Sequence, residues 1–422
     1  MESSTSKLIG ARRLEGMYEN VWVEFAGLAR QYQPVNLGQG FPDLPVPPFL
    51  RDSMMKAIQS SDMNHQYTRG WGHPKLINAL AKLYGPLLGR KLDPESEILV
   101  TVGAYESLYC CAMGLINEGD EVILIEPFFD CYVPFAKMAG AKTVCVSLRA
   151  KEDAKSSADF CWDENEIRNA FNAKTKCILL NTPHNPTGKV FSRKELELIA
   201  ELCIKHDVIC ITDEVYEWLI YSGSEHTRIA TLPGMYDRTI TVGSAGKTFS
   251  VTGWKVGWSM GPSNLIKHLR VVHTNSIYHC STITQEAVAN AIETESERLG
   301  DKNCYFRQLP KMLERKRDKM AVLLKSIGVV PIIPEGGYFM MADVSPLGIK
   351  FNDGDDTSPY DYKFSRWLIK QKGIACIPPS AFYSKEHKDL SKKFIRFCFI
   401  KNDTTMTMAE EKFNEWARSL KK

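Results

Sequence analysis

Through the middle of the chain, short apolar or β-branched runs alternate with segments whose apolar residues recur at helical spacing. The runs lie at Glu97–Val102, Glu121–Ile125, Lys142–Ser147, Lys176–Leu180, Val208–Thr212 and Thr239–Val242, and each predicts a strand. The clearest helix between them is Ser192–Asp207. There Ser192 and Glu195 form an S-x-x-E capping box, and Leu196, Ile199 and Cys203 recur on one face. Strand, helix, strand at this spacing predicts an α/β fold with a largely parallel sheet covered by helices on both faces. Ligands of such sheets sit beyond the carboxyl ends of the strands, so the residues just after each run are the candidates for chemistry.

The flanks read differently. Residues 1–45 look turn-rich and extended around Asn36-Leu-Gly-Gln-Gly-Phe-Pro-Asp43. After about residue 300 come amphipathic helices, a strand near Gly337–Asp343, an acidic loop at Asn352–Asp356 and a strand at Phe394–Ile400. We expect an N-terminal arm (1–45), a large α/β domain (46–300) and a smaller α+β domain (301–422) that the arm helps to build.

Composition narrows the partners. At 44% hydrophobic and 24% charged, the 422-residue chain is ordinary, so long disorder is excluded. A net charge of +3 is too small to argue for a nucleic-acid surface. No run approaches the roughly 18 apolar residues of a membrane span. The twelve cysteines contain no C-x-x-C pair and read as small buried hydrophobes in a reducing compartment. His268, His273 and His279 are too far apart for a helical ligand pair, so no metal is expected. The first residues lack the apolar core of a signal peptide, which points to the cytoplasm; a leader removed ahead of Met1 would make the protein mitochondrial instead.

The densest motif is Thr239-Ile-Thr-Val-Gly-Ser-Ala-Gly-Lys-Thr248, a strand running into small residues and a lysine. Three chemistries use such a segment. A P-loop nucleotide hydrolase needs G-x-x-x-x-G-K-[ST], but Thr241 stands where the first glycine belongs, and Gly243 lies too close to wrap a phosphate chain. A Ser-x-x-Lys hydrolase would have Ser244 and Lys247 but no S-D-N or K-T-G partner. A lysine that forms a Schiff base with pyridoxal 5'-phosphate needs a tight turn and nearby small or cationic residues, which Ser244 and Lys255 supply.

That third chemistry also needs a carboxylate to keep the pyridine nitrogen protonated. Asp213 ends a buried run, and Tyr216 follows within reach of the ring's phenolic oxygen. A Walker-B aspartate would also end a strand, but here it would precede the lysine loop, the reverse of the usual order. Asn185 lies in Asn181-Thr-Pro-His-Asn-Pro-Thr-Gly188, where turn chemistry alone explains the sequence. Arg396 sits in the apolar strand Phe394-Ile-Arg-Phe-Cys-Phe399, so its guanidinium requires an anion. Either a structural carboxylate or a substrate carboxylate would serve.

Taken together, these residues resemble the class I pyridoxal-phosphate aminotransferases. The run S-A-G-K-T-F-S-V-T-G-W-K-V-G (244–257), the N-x-x-x-N-P-x-G around Asn185, D-E-V-Y from Asp213 and the late I-R-F carry the resemblance, in the family's order, from Trp22 to Arg396. N-L-G-Q-G-F-P-D, N-x-Q-Y-T-R-G, V-G-A-Y and E-P-F-F-D-C-Y are most similar to the kynurenine aminotransferase, glutamine transaminase K and cysteine-S-conjugate β-lyase group. One departure from the broad class is Lys255, where most members carry arginine; lysine is the habit of this group. His184 is a second difference.

The resemblance implies an aspartate aminotransferase-like fold and pyridoxal phosphate on Lys247. Asp213 would face the ring nitrogen, Tyr216 and Asn185 the phenolic oxygen, and Phe129 would stack on the ring. Gly103, Ala104 and Tyr105, opening a helix, would hold the phosphate with Ser244 and Lys255. Arg396 and Gly40 would hold the substrate carboxylate. Trp22, Tyr105, Tyr278 and His279 would form an aromatic pocket for a large amino acid such as kynurenine, glutamine or methionine. Tyr67, Tyr278 and His279 would come from the second copy of a homodimer with shared sites. β-Elimination from S-conjugates is the alternative main activity, and a ligand-sensing domain without turnover is the alternative outside catalysis.

Overall fold

The structure, a computed structural model, describes residues 10–17, 20–351, 354 and 357–420. The acidic loop expected at 352–356 lies, apart from Gly354, outside the described residues. The strands, in chain order, are β1 (Val35–Asn36), β2 (Ile98–Thr101), β3 (Glu121–Glu126), β4 (Lys142–Ser147), β5 (Arg149–Ala150), β6 (Phe160–Cys161) and β7 (Thr175–Asn181). They continue with β8 (Ile209–Asp213), β9 (Thr239–Ser244), β10 (Gly257–Met260), β11 (Val330–Ile332), β12 (Phe339–Asp343), β13 (Ile374–Ala375) and β14 (Phe394–Cys398).

Seven of them form one sheet in the order β2-β10-β9-β8-β7-β3-β4. Every neighbouring pair is parallel except the two made by β10, which runs antiparallel to both β2 and β9. The alternation of side chains along a strand explains why these runs are apolar throughout. Ile123 and Ile125 pack into one core with Ile178 and Leu180, while Val122 and Leu124 pack into another with Cys177 and Leu179. The helix Arg193–Lys205 covers the first face, and the expected capping box at its start is present in both directions. The helices Gly103–Leu115 and Ser263–Ser276 cover the other.

Two smaller sheets lie outside it, one of which joins the two ends of the chain. β11, β12 and β14 form an antiparallel sheet, and β1 pairs in parallel with β13, Val35 opposite Ile374. The N-terminal flank is not extended throughout, as its turn-rich sequence suggests: Val21–Tyr32 is a 12-residue helix. Asn20 caps it, accepting a hydrogen bond from the Trp22 N–H at 2.7 Å. Only Val21 and Phe25 are fully buried along it, so the apolar period that would reveal a helix is faint.

Candidate active site

Five strands of the large sheet end on the same edge, and each delivers a side chain or a turn to one cavity. β7 leads into the turn that carries Asn185; β8 ends on Asp213; β9 ends on Ser244, followed by a single helical turn that carries Lys247. β2 leads into the helix that opens at Gly103, and β3 leads to Phe129. Arg396 arrives from β14 of the small sheet and Trp22 from the N-terminal helix. The cavity holds about 280 Å³. Gly40, Ala104, Tyr105, Tyr216 and Lys255 complete the expected residues on its wall.

Lys247 is the chemical centre. Its Nζ donates to the Tyr338 hydroxyl at 2.7 Å and to the Gly40 carbonyl at 3.4 Å. Burial pushes its pKa down to about 8, with Arg396 and Lys255 adding to the shift and Asp213 opposing it. An amine so placed is available as a nucleophile near neutral pH. Asp213 is buried, and burial raises its pKa to about 6, against the Tyr132 hydroxyl at 2.8 Å and the Val215 N–H at 3.3 Å, which favour the charged form.

Arg396 has no carboxylate in ion-pair range among the described residues, although it is completely buried. It donates to Asn185 Oδ1 at 2.9 Å and to the Gly38 carbonyl at 3.2 Å, and its Nε has no partner. The structural carboxylate that the sequence left open is therefore not the anion. Lys255 and Ser244 likewise offer polar atoms without a hydrogen-bond partner among the described residues. Gly103, with φ +73°, keeps that corner open: a Cβ there would lie 3.4 Å from Lys255 Nζ. Cation, hydroxyl and helix N-terminus on one wall make an anion cradle.

Sequence comparison agrees with the chemistry. The family model for class I and II aminotransferases matches residues 32–413. The chain belongs to this family. It is 54% identical to kynurenine–oxoglutarate transaminase 3 of Rattus norvegicus over 96% of its own length and 90% of that protein. It is 49% identical to kynurenine–oxoglutarate transaminase 1 of Homo sapiens, over 97% and 99%. Among solved structures, Bna3p of Saccharomyces cerevisiae superposes with a TM-score of 0.90 at 34% identity, covering 98% of this chain and all of that one.

This aminotransferase uses residues that the sequence did not single out. Tyr132 donates to Asp213; Tyr338 bridges Lys247 and the Gly40 carbonyl; Asn181 accepts from the Asn185 N–H at 2.7 Å. Asn181 and Tyr132 sit inside the very motifs that carry Asn185 and Phe129, so their proximity was the one available signal. Gly40 has no room for a side chain, because a Cβ would meet Phe339 at 2.5 Å. His184, whose role the sequence left open, is buried, bonds Thr187 at 2.8 Å and has its pKa pushed down to about 3 by burial. It is a neutral turn residue.

Three expected site residues lie apart from the cavity wall in this aminotransferase. Tyr67, Tyr278 and His279 cluster edge-to-face on the surface, with ring centroids 5.0–5.7 Å apart. Tyr67 is 77% exposed and Tyr278 is 54% exposed. Behind Asp213, Glu214, Glu217 and His226 bring polar atoms within 4.8 Å of one another. Arg228 pairs with both acids and His226 Nε2 lies 2.8 Å from Glu214, so the cluster already contains its counter-charges. Among the described residues no helix is long and apolar enough to cross a membrane.

Proposed function

We propose that this aminotransferase binds pyridoxal 5'-phosphate and transfers the amino group of kynurenine, or of another large L-amino acid, to a 2-oxo acid. The observation that carries the proposal is the meeting of a half-buried Lys247, whose pKa burial pushes down to about 8, and a buried Arg396 without a counter-ion among the described residues on one cavity. The residues fit the cofactor: an anion cradle at Gly103, Ser244 and Lys255, an acid at Asp213 and an amine at Lys247 surround unfilled space. When bound, the cofactor supplies an electron sink for the charge that develops at the substrate Cα.

The chain's residues divide the remaining work. Arg396 pairs with the substrate carboxylate, and the same contact serves the 2-oxo acid of the second half-reaction. The free amine of Lys247 would be the base that takes the proton from the donor's Cα and, in the second half-reaction, the acid that delivers one to the Cα of the 2-oxo acid. Asp213 would keep a proton on the ring nitrogen, and the hydrogen bond from Tyr132 favours the charged form of Asp213 and holds it in place. Asn185 and Tyr216 would hold the cofactor's phenolic oxygen, and Phe129 would pack on its ring. The aromatic walls from Trp22, Tyr105 and Phe339 favour a large side chain, in keeping with the kynurenine–oxoglutarate transaminases it resembles.

We further assign the protein to a homodimer in the reducing cytoplasm, on two observations. All twelve cysteines are free. The exposed Tyr67, Tyr278 and His279 cluster is one a second copy would bury. Each copy's three rings would then complete its neighbour's site. Mixing Lys247→Ala subunits with a Tyr67-crippled variant should restore about a quarter of native activity, since half the dimers are mixed and half their sites whole.

The direct test is an absorbance spectrum of the purified protein with and without kynurenine. A yellow protein whose visible band bleaches on adding kynurenine, and which then passes the amino group to 2-oxoglutarate, is expected. Borohydride reduction and peptide mapping should place the cofactor on Lys247. A colourless protein, or label on another lysine, would overturn the proposal.

A further inference from the structure

The segment Glu126-Pro-Phe-Phe-Asp-Cys-Tyr132, just beyond β3, grips a different part of the molecule with nearly every residue. Glu126 is fully buried and accepts from the Ser384 N–H at 2.9 Å and Ser147 Oγ at 2.9 Å, with His387 Nδ1 at 2.7 Å. The Phe128 N–H donates to the Phe382 carbonyl at 2.8 Å. Phe129 lines the cavity, and Tyr132 holds Asp213. Between them, Asp130 accepts a hydrogen bond from Trp22 Nε1 at 2.6 Å, across 108 residues of chain.

Asp130 does not line the cavity; Trp22 does. The indole lies 5.4 Å from the Arg396 guanidinium and 6.2 Å from the Phe382 ring, so it borders the point where a substrate carboxylate would pair. Trp22 stands in the first turn of its helix and is only half-buried, so packing alone leaves its rotamer open. Asp130 is an expensive anchor: desolvation pushes its pKa up, and its second oxygen, Oδ1, is buried with no partner. A half-buried carboxylate with one oxygen unmet adds little to stability, which leaves its hold on the indole as the effect to explain.

We propose that Asp130 is a specificity-determining positioning residue, which holds the Trp22 indole on the cavity wall beside Arg396, where the ring meets the side chain of a donor whose carboxylate is paired there, and so sets the preference for large aromatic amino donors. The inference rests on the function proposed above. Asp130 touches neither substrate nor cofactor; it acts through the ring it holds. An acid outside the cavity then decides how well a flat side chain is stacked inside it.

The test compares Asp130→Leu, Trp22→Phe, the double variant and the conservative Asp130→Asn, which keeps an oxygen acceptor for the indole N–H. With kynurenine, Asp130→Leu should raise KM about tenfold and leave kcat within about twofold, the size expected for one lost hydrogen bond. Asp130→Asn should return KM to within about threefold of wild type. Alanine as donor should be unaffected, and so should the visible spectrum of the bound cofactor. The double variant should be no worse than the worse single one, because both break the same contact. Equal losses for kynurenine and alanine, or additive single effects, would overturn the inference. If Asp130→Leu fails to fold, Trp22→Phe and Asp130→Asn carry the same comparison of donors. A wild type that converts neither donor overturns the proposed function and this inference with it. An active wild type whose selectivity Asp130→Leu leaves unchanged overturns this inference alone.

Discussion

Asp213 and Arg396 are both buried charges on one cavity, yet the chain completes them differently. Asp213 receives a hydroxyl and a backbone N–H from its own surroundings and has Lys247 close enough to favour its charge. Arg396 receives only neutral acceptors and three aromatic rings, at 4.0, 5.0 and 5.4 Å, and burial pushes its pKa down to about 10. Leaving a buried ion without a counter-ion costs several kcal/mol. The sheet side of the site is finished by the fold. The small-sheet side is left without a counter-ion among the described residues, and under the function proposed above a substrate carboxylate would supply it.

The comparison can be broken at four points. Lys247→Ala should abolish turnover, because no other side chain reaches its position, while the protein folds and still binds cofactor without a covalent bond. Stopped-flow spectra with added amino acid check this, and residual multiple turnovers would contradict it. Asp213→Asn should lower the rate by about two or more powers of ten while cofactor stays bound, since only the charge beside the ring is lost. Single-turnover rates like those of the wild type would remove Asp213 from its assigned role.

On the unfinished side, Arg396→Ala should weaken binding of amino acids by about 1.5–3 kcal/mol, roughly 10–150-fold in KM. A matched amine without the carboxylate should bind as before. Equal losses for both would make the guanidinium structural. The smallest effect should come from Tyr132→Phe, which deletes one of the two donors that hold Asp213 charged. Losing an interaction that lowers its pKa lets Asp213 take up its proton at higher pH, so the acid limb of kcat/KM should move up by roughly one unit. Activity at pH 9 should change little. An unmoved limb would show that Tyr132 does not tune the acid.

The same divide governs what the sequence revealed. Strands buried on both faces carry consecutive apolar residues, as Cys177–Leu180 do inside Thr175–Asn181, so they stand out as runs. The polar residues just beyond them, Asn185 and Asp213, are conspicuous for that reason. β10 did not stand out, because it is four residues long and continues the lysine motif after its glycine. Tyr338 is one of sixteen tyrosines, and nothing local separates it from the rest. Tyr338 meets Lys247 across 91 residues. Long-range polar contacts leave no periodic trace, so only the fold reveals them.

The pairing of the chain's two ends also sets a schedule. Arg396 reaches back to the Gly38 carbonyl across 358 residues, and Lys401 reaches the Phe41 carbonyl across 360. On a ribosome, the N-terminal segment must wait for the last strand before either contact can form. At about 5–20 residues per second, that wait is roughly 20–70 s. Throughout it Lys247 and Asp213 have already been made, while β14, which carries Arg396, has not. Completion of the cavity is therefore a late event of synthesis, and a chain cut short before β14 would carry Lys247 and Asp213 but lack Arg396.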